Sequence, residues 1–360
     1  MLFRSLTTLP TISLLLTVLA SSWIIKRLGA RRTTLIGLII ALLAGLVPVF
    51  INDYVIVFIS RLLLGVGVGL FNNLAYSLIM AVYEGEERQT MLGFQSAVGT
   101  VGNALASFVV GLLISNGWQV AFNVNWLFVI PLVLFGLFAT KIDQFTNPVV
   151  TETGDTVPIK AKETTNMAVV GYVLLIATFF AFYFGLLLKL AGFLVEQHLG
   201  TAAVAATQLS VMSLIGLLPS LLYGQIYKHL RRLTIPIGLI ITGLGIGIIA
   251  TAGTLTMTWI GIVISGFGLP IVMPAIFGKV AEVQPEGSSN LSSALMLVGI
   301  NVAVFLSPQV LAVTTQIIGQ TSNKATMLVS TVMLFVLGAI QLVMATTKKQ
   351  PIKNRSEMKS

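Results

Sequence analysis

The sequence contains no cysteine, which excludes a disulfide framework and a thiolate metal site. Histidine is nearly absent too: His198 and His229 cannot make a multi-histidine metal cluster. Charge is scarce. Only 9% of the 360 residues are Asp, Glu, Lys or Arg, where a soluble domain carries about 25%. That is too little charge to cover a water-facing surface of this size. No nucleophile–base set stands out, so an enzyme is not expected, and no cofactor is implied. The glycines Gly65, Gly67 and Gly69 have no strand before them and no acid at the spacing of a nucleotide-binding loop. Nor does an acid fall squarely inside an apolar stretch, since Asp53 and Glu196 lie near stretch ends. A carboxylate of the kind that proton-coupled carriers titrate within the membrane is therefore missing.

What is present is apolar: 56% of the residues are hydrophobic and the mean hydropathy is +0.96. A spanning helix needs about 20 mostly apolar residues. Stretches of that kind occur at roughly 6–25, 34–51, 54–80, 91–115, 119–139, 167–195, 203–226, 235–252, 257–280, 291–315 and 324–346. Eleven spans in an all-α integral membrane protein are therefore expected. Most connections are short, but 140–166 is polar, carrying Asp143, Glu152, Asp155, Lys160, Lys162 and Glu163. It divides five spans from six.

The net charge of +9 would suggest nucleic acid in a soluble protein. Here the placement of Lys and Arg points elsewhere. If the loop Lys26–Arg32 is cytoplasmic and sides alternate, seventeen Lys and Arg collect inside and only Arg4 and Lys324 outside, with Arg61 and Lys189 within spans. Such asymmetry sets orientation and removes the need for a nucleic-acid partner. The C-terminus, with its basic tail at 347–360, is then cytoplasmic in the cell membrane. The N-terminus falls outside, as if the chain began in the loop before the second helix of a larger design. The halves also repeat weakly: Trp23–Arg32 precedes Thr33–Ile40 much as Gln225–Arg232 precedes Leu233–Ile241.

The segment Ser22–Arg31 resembles the loop signature between helices two and three of the Major Facilitator Superfamily. Arg27, Gly29 and Arg31 stand at matching positions, with Arg32 just beyond, while Ser22 replaces the first glycine and Lys26 an acid. Arg61-Leu-Leu-Leu-Gly-Val-Gly-Val-Gly69 is similar to the family's fourth-helix pattern, and Gly117–Phe122 to the outer loop before helix six. The resemblance implies a two-bundle transporter, with about eleven helices present of a twelve-helix design and the first lacking. Its parts would be an N-terminal bundle at 1–139, a cytoplasmic linker at 140–166, a six-helix bundle at 167–346 and the basic tail. It implies alternating access for a small organic solute or drug, with protons or another coupling ion, lipid as the surrounding partner and a monomeric state. The rival is a membrane protein that moves nothing, such as a sensor or a relic.

An arginine at bilayer depth is costly and should meet the cavity or a partner, so Arg61 either lines the central pathway, as the resemblance implies, or reaches the outer interface. Lys189 either contacts an anionic solute or reaches outward; the two cations lean the reading towards an anion. Asn72, Asn103 and Asn301, with Asn73, Gln95 and Gln208, are amides within spans that must find partners or a wet cavity. Gly65, Gly67 and Gly69 read as close helix packing. Pro219, Pro270, Pro274 and Pro308 should bend their helices, which bundle neighbours tolerate.

Overall fold

The computed structural model describes residues 2–113, 117–139, 142 and 164–347. Most of the linker and the tail from Lys348 onward, for which cytoplasmic positions were expected, lie outside them. The N-terminal half runs through α1 (Leu2–Leu28), α2 (Ala30–Phe50), α3 (Tyr54–Asn72), α4 (Leu74–Val82), α5 (Gly85–Leu113), α6 (Trp118–Ala121), a 3-10 segment (Phe122–Phe128) and α7 (Val129–Phe138). The C-terminal half comprises α8 (Met167–Glu196), α9 (Ala202–Ile215), α10 (Leu217–Leu221), α11 (Tyr223–Leu230) and a 3-10 turn (Arg231–Leu233), followed by α12 (Thr234–Ala250). It closes with α13 (Leu255–Gly266), α14 (Gly268–Val283), α15 (Ser289–Ile317) and α16 (Asn323–Thr347).

Among the described residues, nine helical segments are long and apolar enough to cross a membrane. Helices α1 and α5, of 27 and 29 residues, are as long but more polar, and they coincide with the two other apolar stretches of the sequence. Helices are required because hydrocarbon offers backbone groups no partners. Short polar residues start several of them. Asp53 accepts from the Ile56 amide at 3.0 Å, Asn166 from Val169 at 2.9 Å, and Thr201 and Thr254 cap α9 and α13. Gly29 alone joins α1 to α2, at φ 81°, a conformation that costs glycine nothing. The outer surface is apolar: Phe138 is 78% exposed and Ile317 80%. Apolar surface on this scale belongs in lipid, and the chain is a multi-pass membrane protein.

Within the halves, helices meet through glycine. A Cβ at Gly67 of α3 would lie 2.6 Å from the Ala41 nitrogen and 2.7 Å from the Gly37 oxygen of α2. Gly245 of α12 and Gly261 of α13 repeat the device, each facing the other's carbonyl at 2.7 and 2.6 Å. Without side chains between them the backbones approach closely. Gly69 abuts Thr17 and the Leu14 carbonyl of α1.

Several apolar stretches that read as single spans are broken helices. The run 54–82 breaks at Asn73, 202–230 at Gly216 and Leu222, and 255–283 at Phe267. Pro219 and Pro270 follow breaks by a few residues, as loss of a backbone donor predicts. Helix α5 starts six residues before the apolar stretch that marked it, because intrahelical bonds continue through the polar Glu86, Glu87, Arg88 and Gln89.

The halves touch near the end that carries Gly29, Gly85 and Arg231. There Asn73 donates to the backbone oxygen and Oδ1 of Asn290 at 2.9 and 2.6 Å. Tyr76 stacks on Phe277 with ring centroids 4.1 Å apart. Gln89, fully buried, accepts from the Tyr223 phenol at 3.1 Å, and its amide lies against the Cα of Gly278. Thr90 meets Gly224, and Gly93 meets the Ser220 carbonyl. Further along α5, a Cβ at Gly99 or Gly102 would meet nothing within 4 Å.

Candidate functional site

Above this seam lies a cavity of about 280 Å³, lined from both halves. Helix α5 supplies Gln95, Ser96, Gly99, Thr100 and Asn103. The spacing of i, i+1, i+4, i+5 and i+8 puts them on one helical face, and this is the polar face that makes α5 less hydropathic. Opposite stand Tyr183 of α8, Met212 and Ser213 of α9, and Leu269, Pro270 and Met273 of α14. Gly99 is halfway along α5 and Tyr183 near the middle of α8, so the cavity sits at mid-height. Its floor is Tyr76, whose phenol donates to the Met273 sulfur at 3.8 Å.

The lining is mostly apolar, and its polar groups among the described residues carry no charge. Gln95 lies beside the Tyr76 phenol, and its buried Oε1 has no hydrogen-bond partner. Tyr183 is held by stacking on Phe179, with centroids 5.5 Å apart, and its hydroxyl forms no hydrogen bond with any described residue. The breaks at Gly216 and Phe267 flank the cavity, and Gly266 and Gly216 let α9 and α13 approach: a Cβ at Gly266 would be 3.0 Å from the Met212 oxygen.

Of the amides that sequence reasoning singled out, the cavity contains Gln95 and Asn103. Asn72 is half-buried at the end of α3 outside it, and Asn301 turns its amide onto the Leu297 carbonyl of its own helix at 2.8 Å. Arg61 takes neither of its two expected positions. It is 7% exposed inside the N-terminal half, where Nη2 donates to the Gly45 carbonyl at 3.2 Å and the guanidinium lies 4.5 Å over the Phe122 ring. Asn125 shares that carbonyl at 2.9 Å. Lys189 is half-buried. It lies between Gly185 and Gly192 on the α8 face that meets Ser330 and Asn323 of α16, turned from Tyr183 by the helical register. In the loop motif, Arg27 lies 3.9 Å over Trp23, and Arg31 ties α2 to the Gly136 carbonyl at 3.0 Å. Arg32 is exposed, and Lys26 lies in α1.

Tyr76, Tyr183, Gln89, Tyr223 and Gly278 escaped sequence reasoning. The tyrosines sit in apolar runs where core aromatics look the same. Gln89 lies outside any apolar stretch. Its one signal is its place in a helix that starts early.

Comparison with known proteins agrees with this architecture. The family model described as Major Facilitator Superfamily matches residues 2–308, and the chain belongs to that superfamily. Among solved structures it resembles the proton:xylose symporter XylE bound to 6-bromo-6-deoxy-D-glucose, at 14% identity over 96% of this chain and 86% of that one, TM-score 0.71. The human organic anion transporter MFSD10 is similar at 14% identity, 93% and 82% coverage and TM-score 0.73. A bacterial homologue of the iron transporter ferroportin in an outward-facing state matches at 14% identity, 96% and 91% coverage and TM-score 0.70. At such identities the likeness is one of fold, the fold of secondary transporters. The Methylenomycin A resistance protein of Bacillus subtilis (strain 168) is 32% identical over 111 residues, 30% of this chain. The match spans 24% of that relative's length.

Proposed function

We propose that this chain carries a small organic solute or drug across the cell membrane by alternating access, and that the present conformation is open to the outside. The observation that supports this most is a mid-height cavity between two bundles that meet at one end. That is the layout expected when two halves rock about a central site. The sealed end carries Arg27, Arg31, Arg32, Arg88, Lys228 and Arg231, and this excess of cations favours a cytoplasmic position for it, with the C-terminus on the same side. The resistance relative favours export over uptake. In this reading Asn103 contacts solute, and Arg61 keeps the N-terminal bundle in shape from behind the cavity wall. Arg27, Gly29 and Arg31 fix the entry into α2.

The test uses the natural absence of cysteine. The exposed pair Glu86 and Arg231, 4.0 Å apart across the seam, is replaced by two cysteines. In vesicles, joining them with a short reducible thiol linker should stop flux of drug-like solutes, and reduction should restore it. Full flux in the linked state sinks alternating access. No flux of any solute, linked or free, leaves the non-transporting reading in its place.

A further inference from the structure

We infer that the cavity selects an uncharged solute: a compact, partly apolar molecule that donates an N–H or O–H to Gln95. The inference rests on the transport reading above and narrows its substrate class. Among the described residues no Asp, Glu, Lys, Arg or His lines the cavity. The two cations that tilted sequence reasoning towards an anion are elsewhere. Arg61 is committed to the Gly45 carbonyl and the Phe122 ring, and Lys189 lies on the face of α8 that meets α16. An ion brought to mid-height would shed its water and find no counter-charge, a cost that grows steeply as the surroundings become apolar.

What the cavity offers is a set of neutral groups with capacity to spare. Gln95 lines the cavity and its Oε1 has no hydrogen-bond partner, an acceptor with capacity to spare. The Tyr183 hydroxyl and the Asn103 amide can each donate and accept. Facing them, Met212, Met273 and Leu269 form an apolar wall, and thioethers adapt to varied shapes. At about 280 Å³ the space falls at the small end of ligand pockets, which run from about 300 to 1,000 Å³. A small aromatic or alicyclic amide, lactam or alcohol fits that space.

Size-matched probes separate the classes: benzamide, benzoate, benzylamine and their ring-substituted congeners. Their binding to the purified full chain is measured by the shift in its melting temperature and by inhibition of flux. Amides should bind at least tenfold tighter than the carboxylates and amines. Gln95→Leu, which keeps the side-chain bulk and removes the acceptor, should weaken amide binding by tenfold or more, with the ligand-free melting temperature serving as the folding check. Gln95→Glu should move the preference to the amines. Equal or tighter binding of carboxylates or amines by the parent overturns the inference, as does failure of every amide to bind or amide binding untouched by Gln95→Leu. Flux of a charged solute without amide binding defeats this inference alone, whereas no flux of any kind defeats the transport reading beneath it.

Discussion

Replacing Gly93 by alanine places a methyl group where the two bundles meet. The new Cβ would lie 2.7 Å from the Ser220 carbonyl oxygen and 2.7 Å from the Tyr223 Cβ. Ordinary contacts begin near 3.5 Å, so an overlap of about 0.8 Å must be relieved. Neither neighbour is the end of a flexible side chain, so neither can swing away. Both belong to the opposite half, and parting the halves at the sealed end is the direct relief. Overpacking of this sort costs about 1–3 kcal/mol, which changes the ratio of sealed to parted conformations by about 5- to 150-fold. Spin labels on Glu86→Cys and Arg231→Cys read that ratio as a distance distribution. Their native ion pair is exposed, the Arg231 side chain 69% and the Glu86 side chain 54% accessible, so its removal disturbs little. The longer-distance population should rise at least fivefold in Gly93→Ala and stay unchanged in Gly102→Ala, where a Cβ meets nothing within 4 Å. An identical distribution in Gly93→Ala and parent, both folded, would refute the reasoning.

Three further outcomes follow from the packing. Gly67→Ala clashes with the Ala41 nitrogen at 2.6 Å inside one half. It should destabilise that half by about 1–3 kcal/mol, seen as a lower melting temperature with the label distance unaltered. Arg61→Met forfeits the Gly45 bond and the Phe122 stack, a loss of about 1.5–3 kcal/mol for a charged hydrogen bond. Melting should fall while solute affinity holds, and a selective loss of affinity would return Arg61 to the cavity. Lys189→Ala should leave flux within about twofold, as expected for a substitution away from the site; abolished flux would contradict its placement against α16.

The spans were legible because hydrocarbon imposes a length and a composition that soluble folds do not. The asymmetry of lysine and arginine was equally legible. Helix ends were not. Where Glu86 to Gln89 begin, hydropathy falls, yet helical bonding continues, and the part of α5 that seals the halves lies in that polar turn. The break at Asn73 left no mark either, since its flanks remain apolar, whereas Pro270 marked the one at Phe267. In the cavity, Asn103 and Gln95 stood out as amides in apolar surroundings. Tyr76 and Tyr183 did not, because a tyrosine among leucines and phenylalanines reads as core until its hydroxyl is seen to face open space. Arg61 shows the limit most clearly. Physics required a partner for it, but the partner is a backbone carbonyl on another helix, which no side-chain pattern announces.

The glycines at the seam have a thermodynamic consequence. Bringing long side chains together freezes rotamers, at up to about 2 kcal/mol for each Lys, Arg or Met, while glycine has none to freeze. Gly93, Gly224 and Gly278 meet Ser220, Thr90 and a single buried glutamine. Closing this joint therefore costs little side-chain entropy, and opening it regains little. At these three contacts, side-chain ordering adds little to the free-energy difference between a closed and a parted joint.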